Sequence, residues 1–355
     1  MNFLIEYGLF LAKTLTLVAA IFVVIIAIIS LSLRQKSSSQ EHIEVRNINE
    51  RYRQMAESLE MSMLDKDERK QKKKANNKKL KIEKKRAKDN IAEQRKRIFV
   101  LDFQGDLRGS EVALLREEIT AILMVVKKSD EVLLRLESGG GMVHAYGLAA
   151  SQLARLGEKH IPLTVAVDKV AASGGYLMAC VANRIIAAPF SIIGSIGVIT
   201  QIPNFSRLLK KHDIDFEQAT AGEFKRTVTM FGETTDKGRQ KLKEEVEEIH
   251  GLFKEFVKKQ RPIVDVEEIA TGEHWLGKRA HELKLVDDLK TSDDYLLGLT
   301  ETNDIYEVSY QVKQKLLDRV SSIFSSISRK HSLIPSHPVN ATPTPLLATE
   351  QYLSI

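Results

Sequence analysis

The stretch whose reading decides the fold is Val165-Ala-Val-Asp-Lys-Val-Ala-Ala-Ser-Gly-Gly-Tyr-Leu-Met-Ala179. Apolar alternation from Leu163 to Val170 predicts a buried strand, and Tyr176 to Val181 predicts the start of a helix. Ala172-Ser173-Gly174-Gly175 must then turn tightly between them. A serine in such a turn is presented rather than packed. The two glycines after it let the backbone approach a bound carbonyl closely and leave first-turn amides free to face negative charge. That is the geometry of a nucleophile elbow. The competing reading is that Ser173 merely caps the helix, which serine does well, and the stretch alone leaves both open.

Working outward, Ile98 to Phe103 and Glu131 to Leu136 predict two further strands. Amphipathic helices follow them over Ser110 to Lys128 and Val143 to Leu156. The second strand runs into Glu137-Ser-Gly-Gly-Gly141, so both glycine loops fall at strand ends. Strands alternating with helices argue for an α/β domain with a largely parallel sheet, in which reactive residues gather at the carboxyl ends of strands. Beyond the elbow we expect a strand at Arg184–Ala188, a helix at Phe205–His212 and a strand at Asp213–Gln218 ending in the polar loop Ala219–Arg226. A long helix over Asp236–Gln260 should turn Leu242, Val246, Ile249, Leu252, Phe253 and Phe256 inward. Two short helices between Val264 and Leu289, a strand at Ile305–Val312 and a helix at Lys313–Ile327 complete the pattern. From Ser332 onward proline, threonine and serine dominate, the composition of a disordered tail.

The ends differ from this core. Thr14 to Leu33 holds about 20 residues without a charge, the length a helix needs to cross a bilayer. That stretch exceeds the h-region of a cleaved signal peptide, about 7 to 15 residues, so it reads as a retained anchor. Between Lys66 and Arg97 stand 16 Lys/Arg against five Asp/Glu, while the whole 355-residue chain is only +6. The basicity is therefore local. No aromatic residue lies between Tyr52 and Phe99 to stack on bases, so the block reads as a solvated stalk able to touch anionic lipid rather than as a nucleic-acid binder. The expected organisation is an anchor over 1–34, a polar, strongly basic stalk over 35–97, a catalytic domain with a helical extension over 98–330 and a tail over 331–355. Arg34, Lys36, Arg46, Arg51 and Arg53 after the span lean towards a cytoplasmic domain.

A serine nucleophile needs a base and an oxyanion site. The single cysteine, Cys180, excludes an intrachain disulfide and a cysteine-based metal site, and its apolar surroundings read as core. His144 alone among nine histidines follows a glycine loop, and none has an evident aspartate orienter, so a Ser-His-Asp triad lacks support. Lysine is the other candidate base, because desolvation lowers its pKa until a neutral amine can accept the serine proton. Lys225 stands apart from the helical surface lysines, in a loop after Gly222 and Phe224. By residue type alone it reads equally as an exposed loop lysine.

Taken in order, Gly139-Gly-Gly141, Val170-Ala-Ala-Ser-Gly-Gly-Tyr176, Gly194-Ser-Ile-Gly-Val198, Ala221-Gly-Glu-Phe-Lys225 and Gly272-Glu-His-Trp-Leu-Gly-Lys-Arg-Ala-His-Glu-Leu-Lys-Leu-Val-Asp287 resemble the signal peptide peptidase A family of Ser-Lys peptidases. The likeness runs from about Ile98 to Leu289, and with the anchor and stalk it is to a single-unit bacterial inner-membrane member. It implies a crotonase-like fold shared with the Clp protease, with Ser173 as nucleophile and Lys225 as general base. It further implies oxyanion amides from Gly174 and Gly141, and Ser195 as the residue that orients the lysine. No cofactor or metal is implied. The partners it implies are a peptide or protein substrate, the membrane and neighbouring copies, since family members usually form rings in which serine and lysine can come from adjacent subunits. The resemblance also places the catalytic domain outside the cytoplasmic membrane, in the periplasm, against the charge pattern. Two departures stand out: Glu137-Ser-Gly-Gly-Gly141 lacks the family's proline, and Arg226 replaces a commonly acidic residue. A crotonase-type acyl-CoA enzyme and a non-catalytic membrane scaffold are the alternative functions; the elbow is superfluous to the first, which also lacks an evident partnered carboxylate, and the presence of both Ser173 and Lys225 argues against the second.

Overall fold

The computed structural model describes residues 2–36, 41–72, 74, 75, 78 and 95–311. Helix α1 (Asn2–Lys36) belongs to one compact unit and Ile43–Tyr310 to another. With 35 residues α1 is about 50 Å long, contains the whole expected span and is long and apolar enough to cross a membrane. Its window Ile5–Phe22 has a mean hydropathy of 1.6.

The second unit is a mixed α/β domain. Its strands in chain order are β1 (His42–Asn47), β2 (Lys96–Gly105), β3 (Glu131–Ser138), β4 (Leu163–Val167), β5 (Val170–Ala172), β6 (Arg184–Ala187), β7 (Ile192–Gly194), β8 (His274–Leu276), β9 (Asp288–Leu289) and β10 (Asn303–Gln311). The helices are α2 (Ile48–Met63), α3 (Val112–Val125), α4 (Val143–Glu158), α5 (Gly174–Ala179), α6 (Ser206–Lys211), α7 (Asp236–Gln260), α8 (Val266–Ile269), α9 (Gly277–Glu282) and α10 (Ser292–Leu299). The main sheet runs β1-β10-β2-β3-β4-β6-β9 and is parallel from β10 to β9. Parallel neighbours need crossovers, which α3 and α4 supply.

The central strands of this sheet, β2, β3, β4 and β6, have two buried faces. Phe99, Leu101 and Phe103 of β2 join Leu115 and Ile119 of α3, Leu153 of α4 and Phe253 and Val257 of α7 in the larger core. The intervening Ile98 and Val100 join Leu133, Ala166, Ile186 and Ile305 against Ile48 of α2 and Leu296 of α10. Double coverage is why these strands read as unbroken apolar runs instead of alternating with polar residues.

Four expectations differ from the structure. The polar stretch after the anchor does not remain outside the domain throughout: β1 pairs with β10, and α2 covers the second face of the sheet. Composition hides this because α2 buries only Ile48 fully, and a polar side chain does the fastening. Asn49 Nδ2 donates to the carbonyls of Thr300 (3.0 Å) and Asn303 (2.9 Å), while the Ile305 amide donates to Asn49 Oδ1 at 2.7 Å. Second, the expected strand Leu163–Val170 breaks at Asp168-Lys169. Asp168 receives the Ser292 amide and hydroxyl at the start of α10, and β5 leaves the main run to pair with the end of β3 and with β7. Third, Asp213–Gln218 forms no strand. Its alternation finds no neighbouring strand, and Phe216 instead packs on Phe231 with centroids 5.9 Å apart. Fourth, Leu252 of α7 is exposed, and only the last turns of that helix, through Phe253 and Val257, reach the core. The expected helix Lys313–Ile327, the tail and most of the basic block lie outside the described residues.

One buried acid bears on stability. Glu118 of α3 is 6% exposed, and its Oε1 accepts the Tyr310 amide at 2.8 Å. Burial raises its pKa to about 7 against the pull of that hydrogen bond, with Glu111 and Asp102 adding like charge. Between the ordinary carboxyl value of 4.5 and about 7, the folded chain holds a proton that the unfolded chain releases. Stability is therefore full below that window and falls as pH rises through it. Glu118→Gln should flatten this loss and exceed the wild type at pH 8, by on the order of 3 kcal/mol at most. Urea denaturation of the detergent-solubilised protein at pH 5 and pH 8 measures it, and an unchanged pH slope would contradict the assignment.

Candidate active site

The elbow forms as its sequence suggests. β5 ends at Ala172, α5 begins at Gly174, and Ser173 between them has φ 55° and ψ −119°. A residue with a Cβ visits that region only under constraint, at a cost of order 1–3 kcal/mol. The constraint is visible in the backbone. The Ser173 amide donates to the Gly194 carbonyl at 2.7 Å, and the Ser173 carbonyl accepts the Leu177 amide at 3.0 Å. Its side chain makes no capping hydrogen bond, so the helix-cap reading fails. The hydroxyl is committed to nothing local.

The two expected oxyanion glycines meet on one aromatic ring. A Cβ on Gly174 would stand 2.5 Å from Tyr146 Cγ, and one on Gly141 would strike the Leu107 carbonyl and lie 2.8 Å from Tyr146 Cε2. Only glycine fits at either position, because the Tyr146 ring already fills the space. The Met142 amide donates to that same Leu107 carbonyl at 2.9 Å, which closes the loop after β3. Among the described residues neither the Gly141 nor the Gly174 amide meets a backbone acceptor.

Ser195 lies beside the elbow. Parallel pairing of β5 with β7 puts Ala172 opposite Gly194, so Ser173 and Ser195 follow at adjacent strand ends. Ser195 also has a positive φ, 53°, and its amide donates to the Glu273 carbonyl at 2.6 Å.

Lys225 is placed differently. It lies in the irregular segment between α6 and α7, exposed, where its amide closes a turn on the Gly222 carbonyl at 3.2 Å. Glu223 pairs with Lys237, and Phe224 lies beneath the ammonium groups of Lys237 (5.5 Å) and Lys241 (5.7 Å). No hydrogen bond joins Lys225 to Ser173 within the single chain. The drying of the amine that general-base chemistry needs is not provided by these neighbours. Cys180, by contrast, is fully buried, donates to the Leu177 carbonyl and has its thiol pKa pushed up by burial, as befits a core residue.

The description "Peptidase family S49 N-terminal" matches residues 2–153, and "Peptidase family S49" matches residues 155–305. A chain called "Probable protease SohB" from Haemophilus influenzae is 50% identical over 325 residues, covering 90% of this chain and 92% of that one. The chain belongs to peptidase family S49. A second relative, "Probable protease SohB" of Buchnera aphidicola subsp. Schlechtendalia chinensis, is 48% identical over 308 residues, 84% of this chain and 100% of that one. Among solved structures, the 1510-N membrane-bound stomatin-specific protease aligns with a TM-score of 0.40 at 11% identity, over 66% of this chain and 100% of that one.

The residue that sequence reasoning passes over in this family member is Tyr146. It sits on α4 among alanines and leucines, where periodicity marks it only as core, and nothing in the pattern says that its ring carries both glycine loops. Strain at Ser173 yields a direct test. Ser173→Gly should be more stable than Ser173→Ala by about 1 kcal/mol or more, since both lose the hydroxyl but only glycine relaxes at φ 55°. Equal thermal midpoints for the two variants would mean that the elbow is not strained.

Proposed function

We propose that this chain is a membrane-anchored serine endopeptidase that cuts short, extended or hydrophobic peptides, such as signal-peptide remnants, through a Ser173–Lys225 dyad. The observation that carries the reading is the strained, uncapped Ser173, with Gly174 directly after it and Gly141 packed on the same Tyr146 ring. Ser173 Oγ attacks the peptide carbonyl carbon while a neutral Lys225 amine takes its proton. The Gly174 and Gly141 amides then stabilise the resulting oxyanion. Collapse breaks the C–N bond, and Lys225 returns the proton to the leaving amine. Water, deprotonated by the same lysine, releases the acyl group from Ser173 and restores the hydroxyl. Ser195 holds the amine in line. A crotonase-like arrangement fits the splitting of β5 and β7 from the main sheet.

In this reading the lysine is supplied and dried by a ring of copies. The support is that Ile199, Phe205, Leu208, Ile214, Phe216 and Phe224, all between β7 and α7, are each exposed, apolar side chains that a neighbouring copy would cover. Helix α1 anchors the chain in the bacterial inner membrane, with the catalytic unit on the periplasmic side.

Ser173→Ala and Lys225→Ala should each reduce peptide hydrolysis by the detergent-solubilised protein at least about 10³-fold. Co-assembly of the two variants should restore part of the activity if the dyad is shared between subunits. Turnover retained by either variant alone would overturn the dyad.

A further inference from the structure

Behind the elbow lies a buried hydrogen-bond chain whose direction is set by its ends. The Gly140 amide is 3.1 Å from Ser138 Oγ, Ser138 Oγ is 2.7 Å from the Tyr146 hydroxyl oxygen, and that hydroxyl is 2.8 Å from the Asp106 carbonyl. An amide only donates and a carbonyl only accepts. The single Tyr146 proton therefore goes to Asp106, the Ser138 proton goes to Tyr146, and the Gly140 proton goes to Ser138. Every hydroxyl in the chain donates once and accepts once. Tyr146 is fully buried and Ser138 is 1% exposed, and burial raises the Tyr146 pKa, so the phenol remains a neutral donor. Such a relay strengthens along its length in a low-dielectric setting.

The geometry points to Tyr146 as a positioning residue for the oxyanion site. Its hydroxyl ties the loop after β2, through Asp106, to the loop after β3, through Ser138 and Gly140, while its ring carries Gly141 and Gly174. This does work that the missing proline of the 137–141 loop would otherwise share, since proline stiffens a turn by fixing φ. Three consecutive glycines, Gly139 to Gly141, have no stiffness of their own. The relay holds them from outside. Tyr146 touches no reacting atom and acts through the amides that it aims. The catalytic consequence rests on the peptidase reading; the ordering of the loop does not.

Tyr146→Phe keeps the ring against both glycines and removes only the hydroxyl. In the full-length protein in detergent, amide hydrogen exchange across residues 138–142 should quicken at least about tenfold through local opening, while the thermal midpoint moves by only a few degrees. For peptide hydrolysis kcat should fall about 10- to 100-fold, short of the loss of an entire oxyanion donor, with KM within about twofold. Ser138→Ala should reproduce both effects, and the double variant should be no worse than the poorer single one, because both interrupt one chain. Unchanged exchange in Tyr146→Phe overturns the inference. So does a kcat loss in which the two substitutions multiply independently. Faster exchange together with turnover that survives Ser173→Ala would uphold the ordering of the loop by Tyr146 while sinking the Ser173–Lys225 dyad.

Discussion

Ser173 is held in a backbone state where a residue with a Cβ does not rest by itself, and its hydroxyl is left uncapped. Three neighbours impose that state: Gly194, whose carbonyl takes the Ser173 amide, Leu177, whose amide takes the Ser173 carbonyl, and the Tyr146 ring pressed on the next residue. Each of these comes from a buried element. Strain of this kind persists only where the surroundings over-determine it, so the sheet and its helical cover exist, in functional terms, to hold one torsion angle. The same packing places the Gly141 and Gly174 amides on a common support.

Rigidity at the elbow contrasts with the setting of Lys225. The serine half of the site is built from strand ends and a buried helix, fastened by short hydrogen bonds. The lysine half rides on an irregular, exposed segment whose contacts are turns, surface ion pairs and partly exposed aromatic rings. A chain divided in this way holds its proposed nucleophile rigidly but leaves its proposed base exposed. Assembly would then do two things at once, covering an apolar surface and removing water from the amine, so that catalytic competence follows the oligomer.

Much of this was legible in the residues. The α/β order, the long helix over Asp236–Gln260 and the turn at Ser173 follow from periodicity and glycine placement, because strands and helices of a layered domain must bury continuous or one-sided apolar patterns. What escaped reading depends on partners distant in the chain. Asn49 looks like any polar helix residue until Thr300, Asn303 and Ile305 arrive beside it. Asp213 to Gln218 has a strand's alternation but no strand to join. Asp168 ends one strand early because Ser292 claims its carboxylate. Tyr146 is core by every local measure, and its importance lies in what happens to touch it. Local pattern carries the elements, and long-range hydrogen bonds to single polar atoms carry the departures.

The central claim is that a desolvated lysine amine reaches a strained serine only in the assembled protein. An electron cryomicroscopy structure of the full chain in detergent measures the separation between Ser173 Oγ and the nearest Lys225 Nζ contributed by any copy. The expected value is about 3 Å, hydrogen-bond distance, with the amine screened from solvent by neighbouring apolar residues. A particle in which every Lys225 stays in water, beyond reach of every Ser173, would contradict the account.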